Sequence, residues 1–307
     1  MLSFNQFILQ NMITIKNLSF GYNSKEEIIH DVSLHVQPGT IYGFLGPNGS
    51  GKTTIIRLIL NLLKHKAGKI YIDGTEVNIN SVEIFRRIGS MIESPSLYNH
   101  LSGRANLEIF ALYYSIDKKR IDEVLEIAGL TDAAHKIMKR YSLGMKQRLG
   151  IAICLLHDPD LLILDEPLNG LDPHGIAEIR HLLIKLCKEE GKTIFVSSHL
   201  LSEIESTCDF IGIISKGKLL FQGKIDDLKN AQAGKMIYSI EPSNLDLATA
   251  QLNGLTFSTY DNKISVEVEN KEEIAQLIRK IVSNGVDLYS VQRKENNLED
   301  LFLELTK

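Results

Sequence analysis

Apolar and polar residues alternate over "ITIKNLSFGY" (13–22) and "IIHDVSLHV" (28–36), the period of two that predicts half-buried strands. "PGT" (38–40) is a turn, and "IYGFLG" (41–46) is a short apolar run ending in glycine. "GKTTIIRLILNLLK" (51–64) is apolar nearly all round, which predicts a buried helix. In "DKKRIDEVLEIAGL", Ile121, Val124, Leu125 and Ala128 share one helical face, closed by Gly129. Residues 100 to 157 read as helix-rich. Then "LLILD" (161–165) and "KTIFVSS" (192–198) return as apolar runs with a helix between them. Strands alternating with helices predict an α/β fold with a mostly parallel sheet.

Near residue 230 the pattern changes. "KNAQAGK" (229–235) is small and polar and reads as a linker. Beyond it come strand-like "MIYSI" (236–240), alternating "KISVEVE" (263–269), a helix with Ile274, Leu277, Ile278, Ile281 and Val282 on one face, and "VDLYSV" (286–291). The expected organisation is a loose tail or over-long start at 1–11, a main domain at 12–230, and a small α+β domain at 231–307.

Composition narrows the function. The 307 residues are 44% hydrophobic, enough for a substantial core in two domains. A net charge of −4 gives no basic field for nucleic acid. Cys154, Cys187 and Cys208 are scattered with no C-x-x-C pair, so neither a disulfide framework nor a zinc site is expected, and a reducing, cytosolic setting is. No run reaches the ~18 apolar residues of a membrane span, so any membrane role calls for another chain.

Two stretches carry chemistry. "GPNGSGKTT", residues Gly46, Pro47, Asn48, Gly49, Ser50, Gly51, Lys52, Thr53 and Thr54, matches G-x-x-x-x-G-K-[ST] between a strand and a helix. Its glycines let backbone N–H groups face phosphates, and the helix N-terminus adds positive potential. Lys52 is expected on the β- and γ-phosphates and Thr53 on Mg2+. "LLILDEPLNGLD" (161–172) places Asp165 and Glu166 side by side at the mouth of a buried strand. Two adjacent acids repel unless cations stand near. If that strand neighbours the cradle's, Mg2+ and Lys52 supply the charge. Asp165 then holds the metal through water, and Glu166 orients or deprotonates the attacking water.

In this order the motifs resemble the ATP-binding subunits of ABC transporters, over residues 13 to about 225. "YSLGMKQR" (141–148) is similar to the family signature L-S-G-G-Q but keeps only Ser142 and Gly144 of its second to fourth positions, with Leu143 between them. "LSG" at 101–103 lacks the downstream Lys-Gln-Arg and is set aside. The resemblance implies that Ser142 and Gly144 cap the γ-phosphate of a nucleotide on a second copy, with Asp172 of "NGLD" across the seam. It implies His199 of "SSHL" on the γ-phosphate, Tyr22 stacked on adenine, and a helical subdomain over roughly 94–155 that moves a separate permease. Where the family has a metal-sensing Gln, this chain has Glu93, expected as a third carboxylate near Mg2+. That departure, the signature and the closing "LEDLFLELT" (298–306) resemble the bacitracin and lantibiotic exporters. Export of sodium, haem or lipid, or a non-transport ABC ATPase, stand as alternatives. A P-loop kinase or GTPase gives no reason for Ser142, Asp172 and His199 in this order. The implied cofactors are ATP and Mg2+. The implied place is the inner face of the cell membrane.

Overall fold

The computed structural model describes residues 4–23, 26–231, 236–252, 254–294, 302 and 305–306. It divides into two compact units, 1–224 with 306, and 225–305 with 307.

In the first unit, the expected loose tail contains a helix, α1 (Phe4–Leu9), because its apolar Ile8 is buried. Leu9 approaches Gly74 so closely that a Cβ there would meet Leu9 Cδ2 at 2.8 Å. The first strands do not join the parallel sheet. β1 (Ile13–Phe20) pairs antiparallel with β2 (Ile29–Val36) and with β4 (Ala67–Ile72), and β5 (Thr75–Glu76) pairs on β4. The connection from β1 to β2 is too short for the crossover that parallel pairing needs.

The second sheet runs in the order β10-β9-β3-β8-β7-β6. Its parallel members are β3 (Ile41–Leu45), β6 (Ile88–Met91), β7 (Leu161–Leu164), β8 (Thr193–Ser198) and β9 (Phe210–Ser215). β10 (Lys218–Lys224) closes one edge antiparallel. β3, β7 and β8 are buried along their whole length, as continuous apolar strands covered on both faces should be. The cradle strand β3 and the acid-bearing strand β7 are not neighbours; β8 lies between them.

The cradle opens α2 (Lys52–Ile59), shorter than the run to residue 64 predicts. Asn61 takes a left-handed φ of 55° and ends it, and Leu62 is exposed. α3 (Val82–Phe85) precedes β6, and three helices follow: α4 (Gly103–Tyr114), α5 (Lys118–Ile127) and α6 (Leu143–Leu155). Ile121, Val124, Leu125 and Ala128 are all buried, and Gly129 leaves α5 at φ 63°. α7 (Pro173–Lys188) joins β7 to β8, and α8 (Leu201–Glu205) follows β8. The three cysteines are free. Burial pushes the Cys154 thiol up to about 12, which leaves it unreactive.

The second unit begins with α9 (Ile225–Ala231), so the first residues of the expected linker are helical, and 232–235 lie outside the described residues. β11 (Met236–Pro242), α10 (Leu245–Thr249), β12 (Phe257–Tyr260), β13 (Lys263–Val268), α11 (Lys271–Ser283) and β14 (Leu288–Lys294) then form a β-α-β-β-α-β unit. Its antiparallel order is β12-β13-β11-β14, the split βαβ arrangement. Ile274, Leu277 and Ile281 enter its core with Ile240, Ile264 and Val266, while Val282, expected beside them, is half exposed. Most of the 298–306 motif lies outside the described residues.

Candidate functional site

The loop between β3 and α2 is shaped by glycines with little choice of substitute. Gly51 sits at φ 109°, and a Cβ there would meet Ile29 Cδ1 at 2.6 Å. A Cβ on Gly46 would strike the Ile214 carbonyl and the Ser50 hydroxyl. Gly51 is also the N-cap of α2 and offers no side chain to its first N–H groups, so they remain free for an anion. The buried Ser50 Oγ has no protein partner. These are the features a bound phosphate requires, and Gly46 to Thr54 all lie in this loop and the first turn of α2.

Lys52 is 6% exposed. Its Nζ donates to the carbonyls of Gly46 at 2.7 Å and Pro47 at 3.3 Å, and pairs with Glu166 Oε1 at 3.1 Å. Three protons thus have three acceptors. The Thr53 hydroxyl donates to Asp165 Oδ2 at 2.7 Å, and the Ser197 hydroxyl donates to Asp165 Oδ1 at 2.6 Å. Ser197 Oγ also accepts the Glu166 N–H at 2.8 Å. Glu166 has a left-handed φ of 48°. Its second oxygen lies 2.7 Å from His199 Nδ1.

The two adjacent acids therefore face different partners. Asp165, fully buried, takes two hydroxyls. Glu166, where the chain leaves β7, takes an ammonium and an imidazole. Asp165 and the Thr53 hydroxyl form the hard oxygen set that suits Mg2+. An ionised carboxylate only accepts, so His199 holds its proton on Nδ1 and leaves Nε2 for a ligand.

Glu93 does not join this group. Its Oε1 pairs with Arg57 at 2.9 Å, its side chain is 69% exposed, and its φ is 62°. Among the described residues no three His, Cys, Asp or Glu side chains stand close enough to hold a metal together. The Glu93 carboxylate, expected as a third one near the metal, is here paired with a guanidinium on α2. Tyr22 is 58% exposed and stands edge-on to Phe20 at 4.9 Å.

Ser142 and Asp172 each start a helix. Ser142 caps α6 by accepting the Met145 N–H at 3.2 Å, and Asp172 caps α7 by accepting the Gly175 N–H at 2.8 Å. Both are exposed, and Gly144 lies against Gly175 Cα, where an added Cβ would sit at 3.6 Å. Among the described residues neither Ser142 nor Asp172 bonds to the cradle. Sequence reasoning missed Ser197 and Arg57; a serine closing an apolar strand was the one available signal for Ser197.

The family model described as "ABC transporter" matches residues 29–169, and that for the C-terminal domain of DrrA1-3-like ATP-binding proteins matches 223–306. A bacitracin transport ATP-binding protein, BcrA of Bacillus licheniformis, is 43% identical over 303 residues, covering 97% of this chain and 98% of its own. A lantibiotic transport ATP-binding protein, SrtF of Streptococcus pyogenes, is 42% identical, covering 72% of this chain and 94% of its own. Among solved structures, the dimeric ATP-binding cassette MJ0796 bound to ADP and Pi is similar. It is 28% identical with a TM-score of 0.62, and the match covers 70% of this chain and 99% of that one.

Proposed function

The chain belongs to the family of ABC transporter ATP-binding proteins and is an ATPase, and from this we propose that it powers export of, or immunity to, a peptide antibiotic. The substrate class we assign is bacitracin- or lantibiotic-like, because the bacitracin transport relative aligns over 97% of this chain. The observation that carries the chemistry is the junction of Lys52, Glu166 and His199 beside Thr53 and Asp165.

When bound, ATP supplies the scissile phosphoanhydride, and Mg2+ supplies charge that neutralises it. Gly46 to Thr54 and the N-terminus of α2 bind the phosphates through backbone N–H groups, and Lys52 adds its ammonium. Thr53 and Asp165 would hold Mg2+. Glu166 accepts the proton of the attacking water, and His199 fixes the Glu166 carboxylate through Nδ1. Tyr22, exposed at the end of β1, offers its ring to the base. Ser142, Gly144 and Asp172 serve a second copy: Ser142 stands exposed at the start of α6, where N–H groups favour an anion, and Asp172 stands exposed at the start of α7.

Two copies then close on two nucleotides and drive a permease on a separate chain, with this chain on the cytoplasmic face of the cell membrane. Among the described residues no helix is long and apolar enough to cross a membrane. The test is ATPase activity against protein concentration, with sizing in parallel. Specific activity that rises with concentration, with an ATP-dependent dimer, is expected. Flat activity from single molecules would overturn the dimer. The substrate is tested by resistance to bacitracin and to a lantibiotic in cells carrying the chain and its permease, against Glu166→Gln.

A further inference from the structure

Beyond the residues assigned above, a buried carboxylic acid stands behind the loop that carries His199. Glu203, on α8, is 6% exposed. The buried Ser198 Oγ lies 2.8 Å from Glu203 Oε2 and accepts the Leu200 N–H at 3.0 Å. The Leu200 carbonyl is a poorer acceptor for the same hydroxyl, at 3.3 Å. A hydroxyl has one proton, and a carboxyl oxygen at the shorter distance takes it. Both neighbours of His199 are therefore tied to one oxygen, and Glu203 sets its direction.

Burial raises the Glu203 carboxyl above the ordinary range, and the charged or titratable groups facing it are His199, Glu166 and Arg180. Glu203 Oε1 and Arg180 Nε are both buried with no hydrogen-bond partner. A pair of orphaned polar atoms is costly. A helix that needed only to pack would place an apolar residue here.

We propose that Glu203 is a positioning residue for ATP hydrolysis, fixing through Ser198 Oγ the backbone on both sides of His199 and hence the His199–Glu166 contact. This rests on the roles given above to His199 and Glu166.

The test uses the full chain with ATP and Mg2+. Ser198→Ala and Glu203→Leu each lower kcat about tenfold, with KM for ATP within about twofold, as loss of a purely orienting group should. The double variant falls no further than the worse single one, because both cut the same link. Glu203→Gln keeps an acceptor oxygen and recovers kcat to within about threefold of the parent. Independent multiplication of the two single effects, or parental kcat in both, overturns the proposal. So does a loss of melting temperature and ATP affinity with kcat per bound nucleotide unchanged, since that marks a folding role alone. His199→Ala is run alongside. If it turns over normally, the His199 assignment itself fails; if it is inactive while both Glu203 and Ser198 are dispensable, only the proposal for Glu203 fails.

Discussion

Lys52 Nζ lies 3.1 Å from Glu166 Oε1, although the strands that deliver the two residues are separated by β8. The gap is spanned because Lys52 starts α2 while Glu166 lies just past the end of β7, both at the C-terminal edge of the parallel sheet. That edge is where open α/β sheets gather their ligands. β8 then adds Ser197 and, one residue past its end, His199, between the two strands it separates. The acid pair is thus resolved by three strands.

Glu166→Gln is expected to keep ATP binding and lower turnover by about 10²- to 10⁴-fold, the usual contribution of a positioned general base. An ATP-bound dimer accumulates on sizing columns. Single-turnover kinetics with labelled ATP measure the loss. Normal turnover would show that another group takes the proton.

Glu93→Gln separates the metal reading of this position from the ion pair seen here. The Arg57–Glu93 pair is exposed on both sides, so its loss changes stability by less than about 1 kcal/mol. ATP affinity is retained, and the ATPase rate or its coupling to peptide resistance changes in the permease complex. Melting curves, ATPase assays and resistance tests check this together. Unchanged rate and resistance would remove Glu93 from the mechanism.

Asp158→Asn tests a structural pair away from the site. Lys192, 9% exposed, donates to Asp158 at 2.6 Å, while the Asp158 carboxylate is 69% exposed. The Lys192 ammonium is the main cause that holds the Asp158 carboxyl below its ordinary 3.8. Such a group adds stability above its unfolded value and loses it as pH falls through its folded one. The variant is expected to lose about 1–2 kcal/mol near neutrality, mostly from stranding a buried lysine, with screening on the exposed side lowering the figure. The difference from the parent starts to shrink below about pH 4, the unfolded value, and vanishes only once pH has fallen through the lower folded one. Urea melts from about pH 2 to 7 measure it; a gap that does not shrink as pH falls would exclude the ion pair as the cause.

Local signals were legible wherever one segment decided the outcome. The cradle, the run before Asp165 and the buried face of α5 follow from glycine geometry and hydrophobic period, and the structure keeps each of them. The end of α2 was misread, because "ILNLLK" is helix-compatible and only the left-handed Asn61 stops it. Val282 fits the buried stripe of α11 by period, yet lies half exposed at its margin.

By itself, the sequence determined the glycine-rich loop and its lysine, since a loop shaped to wrap phosphate needs glycines and a lysine at fixed spacing within one short segment. Tertiary structure alone decided which charges meet. Whether Glu93 sees a metal or Arg57, whether β8 stands between β3 and β7, and whether Ser198 and Glu203 brace His199 all depend on side chains brought together from different segments. Electrostatic and hydrogen-bond energies fall off within a few ångströms of their partners, and spacing along a chain does not encode that distance.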